Sequence, residues 1–382
     1  MSEIKYGAVG AHMPPPEINM QVAKLYEQQG VDFMVWWDQM NLTIPRSIWT
    51  PDLVPAAAVW DIDVWMDAWT LMTGAAIATD NIDIGLVASD TMRRPPAVIA
   101  QLALSVQHYA QGRFFLALGA GETKQFTPYG LSREKPFAHL EEAIKIIRLL
   151  WENNEPINYD GPIWKLHNAI LGLPPYGGRP PTQIVAGGPG KALRFAGELS
   201  DGWICYFPGS GTPEQFAEQI AVLRNHAERA GRDPDALVVM AGFPCVIADT
   251  DAEVEDAINN PALLWDAAAM QPNGECWERA GLTNPLGPDW SYARDLIPMD
   301  WSREDALRIV KQVPPEAVRA TRMVGTPEQV AEQIQPWLDA GATHAFLGNY
   351  APLVAAGNWG DMQGGNATLL QTIEASRLRN PH

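Results

Sequence analysis

The chain has 382 residues, 47 % of them apolar, with a formal net charge of −18. So acidic a chain lacks the basic footprint needed for nucleic acid or an anionic membrane surface. Three scattered cysteines, Cys205, Cys245 and Cys276, suit neither a disulfide framework nor a zinc site. Apolar runs too short for a membrane span and an amino terminus without a signal-like stretch read as a soluble, cytoplasmic protein. In chain order, strands are expected at 5–9, 32–37, 82–88, 113–118, 183–186, 203–205, 236–247 and 344–348. Helices are expected between them at 17–29, 67–79, 96–109, 137–151, 191–199, 213–230 and 326–340, several entered through proline as helix starts allow. Eight alternating βα units imply a parallel sheet that closes into a (β/α)₈ TIM barrel. Residues 40–66 and 251–315 break the alternation and read as insertions into a single domain spanning 1–382, the second a candidate lid. Loops of such length are usually functional.

Two strand exits carry the chemistry. Arg113-Phe-Phe-Leu-Ala-Leu-Gly-Ala-Gly-Glu122 is an apolar run that breaks into glycine with an acid next in sequence. Thr182-Gln-Ile-Val-Ala-Gly-Gly-Pro-Gly-Lys191 is a second strand that ends in glycines before a helix. Glycine lets a ligand approach the backbone, and barrel chemistry gathers at the carboxyl ends of the strands. The free N–H groups of Gly187, Gly188 and Gly190, with the helix start behind them, favour an anion. The turn is no Walker loop, since Ala192 stands where Ser or Thr is required, and Gly119-Ala-Gly121 lacks the third glycine of a dinucleotide fingerprint. Asp61, Asp63 and Asp67 alternate with apolar residues and read as a solvated face rather than a metal site. Trp36 and Trp37 point to opposite faces of their strand, so one faces the barrel interior. Together with Trp49 they could wall a large apolar pocket.

Taken in order, Gly30-Val-Asp-Phe…Asp38, Arg93-Arg-Pro-Pro-Ala-Val-Ile-Ala-Gln101, Gly119-Ala-Gly-Glu122, Ala186-Gly-Gly-Pro189 and Asp201-Gly-Trp-Ile-Cys205 resemble the bacterial-luciferase-like superfamily. Within it the pattern is most similar to the hydride transferases that use the deazaflavin coenzyme F420. Ile44-Pro-Arg-Ser-Ile48, Leu171-Gly-Leu-Pro-Pro-Tyr176 and Asn284-Pro-Leu-Gly-Pro-Asp-Trp before Asp295-Leu-Ile-Pro298 look like phthiodiolone ketoreductase-type proteins. The resemblance implies a barrel that commonly dimerises, hence a homodimer, and lipid-like ketone or alcohol substrates. It implies a non-proline cis peptide at Leu86–Val87 behind the deazaflavin ring, with Ala120, Gly121, Gly187, Gly188, Pro189, Gly190 and Lys191 around the cofactor. Lys191 and Arg194 would meet the coenzyme's acidic tail.

Several positions depart from the family. Sugar-phosphate and alcohol-oxidising relatives place a His after the second-strand Asp, where this chain has Gln39; a nearby family Trp is Thr43. Their sugar-phosphate lysines are missing from Cys205-Tyr-Phe-Pro-Gly-Ser210. Gln cannot titrate, so the proton-handling group is expected to be Glu122, with Asp38 and Gln39 beside it. His12, at the first strand's exit, is a possible replacement, and Trp37, Trp49 and Tyr206 complete the expected substrate pocket. The expected function is F420-dependent hydride transfer with a bulky apolar ketone or alcohol, without metal. The alternatives are an FMN-dependent monooxygenase on the same barrel and a non-catalytic cofactor-binding barrel.

Overall fold

The computed structural model describes residues 3–206, 211–271, 274–354 and 362–380. Its strands are β1 (Lys5–Val9), β2 (Phe33–Trp36), β3 (Asp83–Asp90), β4 (Phe114–Gly119), β5 (Ile157–Asp160), β6 (Lys165–Ala169), β7 (Thr182–Ala186), β8 (Gly202–Cys205), β9 (Val238–Ile247), β10 (Met323–Gly325) and β11 (His344–Asn349). The order β9-β11-β1-β2-β3-β4-β7-β8 closes back on β9, and every pairing around the ring is parallel. This is the expected eight-stranded barrel. β10 adds a ninth strand against β9. β5 and β6 form a separate antiparallel hairpin.

Glycine faces phenylalanine across neighbouring strands inside the barrel. Gly7 pairs with Phe33, Gly85 with Phe115, and Gly242 with Phe346. A Cβ on Gly85 would lie 1.9 Å from Phe115 Cζ, and one on Gly7 2.3 Å from the Phe33 ring. The rings therefore use the volume that the glycines leave. They fill the amino-terminal half of the interior, and Phe33 and Phe115 pack edge to face at 5.9 Å. Towards the carboxyl ends the inward residues become small: Ala88, Gly119, Ala186 and Gly348 all line an open cavity. Outward-facing strand residues such as Leu86, Leu116 and Trp203 pack under the surrounding helices.

The two insertions pack on each other. Ile48, Trp49 and Trp60 of the first share an apolar cluster with Trp265, Trp277 and Ala306 of the second. Ser47 Oγ donates to Trp301 O (2.8 Å) and Trp265 Nε1 to Thr43 O (3.0 Å). Between 251 and 321 the second insertion is a run of short helices, with Pro272 and Asn273 outside the described residues. Among the described residues no helix is long and apolar enough to cross a membrane.

Gly85→Ala forces the Phe115 ring off its site, and overpacking of this kind costs about 1–3 kcal/mol. The expected outcome is a lower urea midpoint, partly restored when Phe115 is also changed to Leu. A wild-type midpoint in the single variant would show that the ring is not confined.

Candidate active site

A cavity of about 910 Å³ opens at the carboxyl ends of the barrel strands. Asp38, Gln39, Ala120, Gly121, Glu122, Gly187, Gly188, Pro189, Gly190, Val87, His12, Trp37 and Tyr206 all line it, so most of the expected residues meet in one place. The segment that follows Gly119 turns at Gly121, whose φ of 74° suits glycine and whose Cβ would strike the Phe126 ring at 2.2 Å. Arg133 Nε donates to the Gly121 carbonyl (2.9 Å), and the short helical turn Thr123–Gln125 follows.

Glu122 faces the cavity from this turn, and Lys124 Nζ sits 2.9 Å from its Oε2. Lys124 is fully buried. It also donates to Gln39 Oε1 (3.2 Å) and to the Asn41 carbonyl (3.2 Å). Burial lowers the Lys124 pKa, and the charge and hydrogen bond of Glu122 work against that fall. The sequence reading missed this lysine altogether. Within Glu-Thr-Lys-Gln it reads as an ordinary exposed loop residue, and two of its three partners, Gln39 and Asn41, lie far upstream in the chain.

Asp38 is buried and fully committed. Ser89 Oγ donates to its Oδ2 (2.6 Å), Arg94 Nη1 stands 2.6 Å from the same oxygen, and Arg93 Nη2 lies 3.3 Å from Oδ1. Arg93 Nε also grips Asp90, whose Oδ1 accepts from the backbone of Met92 and Arg93. Asp38 is thus a brace between the β2 and β3 exits rather than an available base. The two arginines were visible in the sequence only as part of a motif, without a role. Arg94 reaches Asp67 as well (2.6 Å), and Arg46 bridges Asp61 and Asp63 (2.9 and 3.0 Å).

His12 does not replace the missing family His. Its Nε2 accepts from Trp37 N (3.0 Å), and its other nitrogen faces the Gly10 backbone. The ring stacks on Trp65 at 4.2 Å. Burial lowers its pKa to about 3, and the two backbone hydrogen bonds are weaker opposing effects. It is a neutral structural ring in the cavity wall. Trp37 takes the inward face and Trp36 the outward one, where its Nε1 donates to Asn19 Oδ1 (2.9 Å). Trp49, expected at the pocket, is instead buried between the insertions, donating from Nε1 to Trp60 O (2.8 Å). Tyr206 and Tyr350 share a hydroxyl contact of 2.9 Å and pack beside Trp37. Burial holds the Tyr350 pKa up at about 12 and that of Tyr206 well above its usual value. Phe207, Pro208, Gly209 and Ser210 of the 205–210 segment lie outside the described residues.

Three cofactor expectations change in detail. The non-proline cis peptide is Val87–Ala88, one residue later than expected. Leu86 points outward into the helical layer, because side chains alternate along a strand and Val87 takes the inner face. Lys191 is exposed and lies over the Phe137 ring at 5.7 Å, outside the cavity wall, while Arg194 is held by Glu141 and Glu198 (3.0 Å each). The turn itself fits an anion: the helix Lys191–Leu199 starts at Gly190 (φ 89°) with no side-chain cap, and a Cβ at Gly188 or Gly190 would meet nothing.

The sequence signature of luciferase-like monooxygenases matches residues 6–344. The chain belongs to that family. It is 32 % identical over 358 residues to the phthiodiolone/phenolphthiodiolone dimycocerosates ketoreductase of Mycobacterium bovis (strain BCG / Pasteur 1173P2), covering 91 % of this chain and 93 % of that one. It is 30 % identical over 283 residues to the F420-dependent glucose-6-phosphate dehydrogenase of Nocardia farcinica (strain IFM 10152), covering 72 % and 75 %. Among solved structures it is similar to an F420-dependent secondary alcohol dehydrogenase in complex with an F420–acetone adduct, with a TM-score of 0.72 and 20 % identity over 98 % and 99 % of the two chains. That likeness carries the luciferase-like fold.

With His12 neutral in the fold and ordinary when unfolded, the unfolded chain binds the extra proton between about pH 6.5 and 3. Stability from this group is complete above pH 6.5 and is lost as pH falls through that window. His12→Asn is expected to make the pH dependence of urea unfolding shallower there, by up to about 1.4 kcal/mol per pH unit. His344, lowered to about 4 by burial, titrates in the same window in both proteins and cancels in the difference. Equal slopes would mean that His12 takes up its proton in the folded state.

Proposed function

We propose that this chain is an F420-dependent oxidoreductase that moves a hydride between the deazaflavin and a bulky, uncharged ketone or alcohol. The observation that carries the reading is the charge state of the cavity wall. Two carboxylates of the wall are paired: Glu122 faces Lys124, and Asp38 faces Arg93 and Arg94. A charged substrate that met either of these carboxylates would have to break its pair, and breaking a buried pair costs about 3–5 kcal/mol. Much of the remaining wall is aromatic, with Trp37, Trp60, Trp65, Tyr206, Tyr292 and Tyr350, beside the charged Arg133, Glu218 and Glu275. Apolar walls with few polar groups suit a hydrophobic substrate oriented by one oxygen. The names of the relatives agree, one a ketoreductase and one F420-dependent.

The Gly187–Gly190 turn and the uncapped helix behind it would hold the anionic part of the coenzyme, and the wall at Val87–Ala88 would back its ring. When bound, the deazaflavin supplies or accepts the hydride. The chain must then deal with the proton that balances it. In the reducing direction a proton reaches the carbonyl oxygen as the hydride reaches the carbon, and an alcohol leaves. Glu122 is the cavity carboxyl placed to exchange that proton, and Gln39 is the neutral group placed to orient the oxygen.

Equilibrium binding by cofactor fluorescence is expected to show tight F420 and no FMN binding. FMN binding alone would move the chain to the oxygenase branch of its family. Glu122→Gln is expected to slow hydride transfer about 10²–10⁴-fold, the usual worth of a positioned acid or base, with F420 affinity within about threefold. Wild-type rates in that variant would remove Glu122 from proton transfer.

A further inference from the structure

Lys124 is the buried charge that this reading does not use. Its side chain has no exposed surface, yet it makes three polar contacts: Glu122 Oε2 at 2.9 Å, Gln39 Oε1 at 3.2 Å and Asn41 O at 3.2 Å. An ammonium has three donors and no acceptor. The end of the Gln39 amide that faces it must therefore be the carbonyl oxygen. That fixes the orientation of an amide that could otherwise flip, and turns the N–H₂ end away from the lysine. This end donates to no described residue, and Gln39 lines the cavity. Burying an ammonium is costly unless its geometry and hydrogen bonds are complete. Here two donors reach Gln39 Oε1 and the Asn41 carbonyl, the charge faces Glu122 as an ion pair, and two of these partners are side chains of the cavity wall.

We propose that Lys124 is the positioning residue of this site: it holds the Gln39 amide with its N–H groups towards the substrate oxygen and is the counter-charge of Glu122. The substrate's identity as a ketone or alcohol rests on the functional reading above; the positioning does not. The arrangement lets a non-titrating residue stand where relatives carry His. Gln39 supplies the hydrogen bond, Glu122 exchanges the proton, and Lys124 keeps both in register from behind. The other charged or titratable groups facing this pair are Arg93 and Asp266 on the lysine side and Arg133 and Tyr292 on the Glu122 side. Arg93 opposes the charge on Lys124 and Asp266 supports it. Neither makes one of the polar contacts at its Nζ.

Two measurements test the proposal. The first uses the cofactor-free protein with ¹³C-labelled lysine, in which lysines are few and the Lys124 signal is assigned by its loss in Lys124→Met. Its titration midpoint is expected to fall in Glu122→Gln, because burial remains while the counter-charge is gone, and to fall in Gln39→Leu as an acceptor is lost. An unchanged midpoint in either variant overturns the proposal, whatever the cofactor is. The second uses the F420-loaded protein and a panel of apolar ketones. Lys124→Met is expected to lower kcat about 10²–10³-fold, as loss of an oriented donor does elsewhere, with the Kd for F420 within about threefold. Lys124→Arg, which keeps the charge, is expected to recover part of that loss. An unchanged kcat in Lys124→Met also overturns the proposal. If the wild-type protein binds no F420, the functional reading falls and the lysine titration alone decides the role of Lys124. Should Lys124→Met fail to fold, the loss of its signal in Lys124→Arg gives the assignment, and the Glu122 and Gln39 titrations carry the test.

Discussion

Pairs of glycine and phenylalanine set the geometry on which everything else rests. Glycine inside a strand ordinarily weakens it, because it gives up packing and costs backbone entropy. At Gly7, Gly85 and Gly242 the registered neighbour on the next strand is Phe33, Phe115 or Phe346, and the ring takes the missing volume. Each pair fixes the register of its two strands, since a slip of one residue would bring a side chain into the ring. The rings plug the amino-terminal half of the barrel. The cavity is the part they leave unfilled, where inward positions are Ala88, Gly119, Ala186 and Gly348. Cavity position and barrel closure thus have the same cause.

Above that plug, neighbouring strand exits are tied together by charge. Arg93 and Arg94, at the end of β3, hold Asp38 beyond β2, and Asp90 holds Arg93 in turn. Lys124, beyond β4, reaches back to Gln39 and Asn41 beyond β2. The second strand exit is therefore tied twice, to the third through arginine and to the fourth through lysine. Charges in such a setting interact more strongly than in water, and a fully partnered network holds its geometry. A chain with net charge −18 spends several of its scarce cations here. The acidic surface and the paired interior are separate matters: one governs solubility, the other the site.

The barrel was legible because buried parallel strands read as apolar runs and their exits as glycine. Glu122 was legible for the same reason, as an acid just past such a run, while Gln39 stood out only through the family resemblance, where His is expected. The hairpin β5–β6 was not, because its residues are half exposed and include Lys165, His167 and Asn168. Lys124 was hidden because burial of a loop lysine depends on partners 83–85 residues away. Trp49 was misplaced for a related reason. Composition shows an aromatic loop, but only the second insertion, more than 200 residues downstream, decides which tryptophans are covered. His12 shows the limit of reading residue type: what disqualifies it is a backbone N–H from Trp37 on the nitrogen that chemistry would need.

The titratable groups around the cavity narrow where a proton can be exchanged. His12, with a pKa near 3, is neutral at any working pH and already uses its accepting nitrogen. Tyr206, Tyr292 and Tyr350 are all pushed upward by burial, so their hydroxyls stay protonated and can orient an oxygen without exchanging a proton near neutrality. Asp38 is enclosed by two guanidinium groups and a serine hydroxyl. Gln39 has no proton to give. Among the cavity carboxyls, Glu122 stands beside a buried lysine whose pKa burial has lowered. Under the proposed function, proton exchange moves from the second strand exit, where relatives carry His, to Glu122 at the fourth.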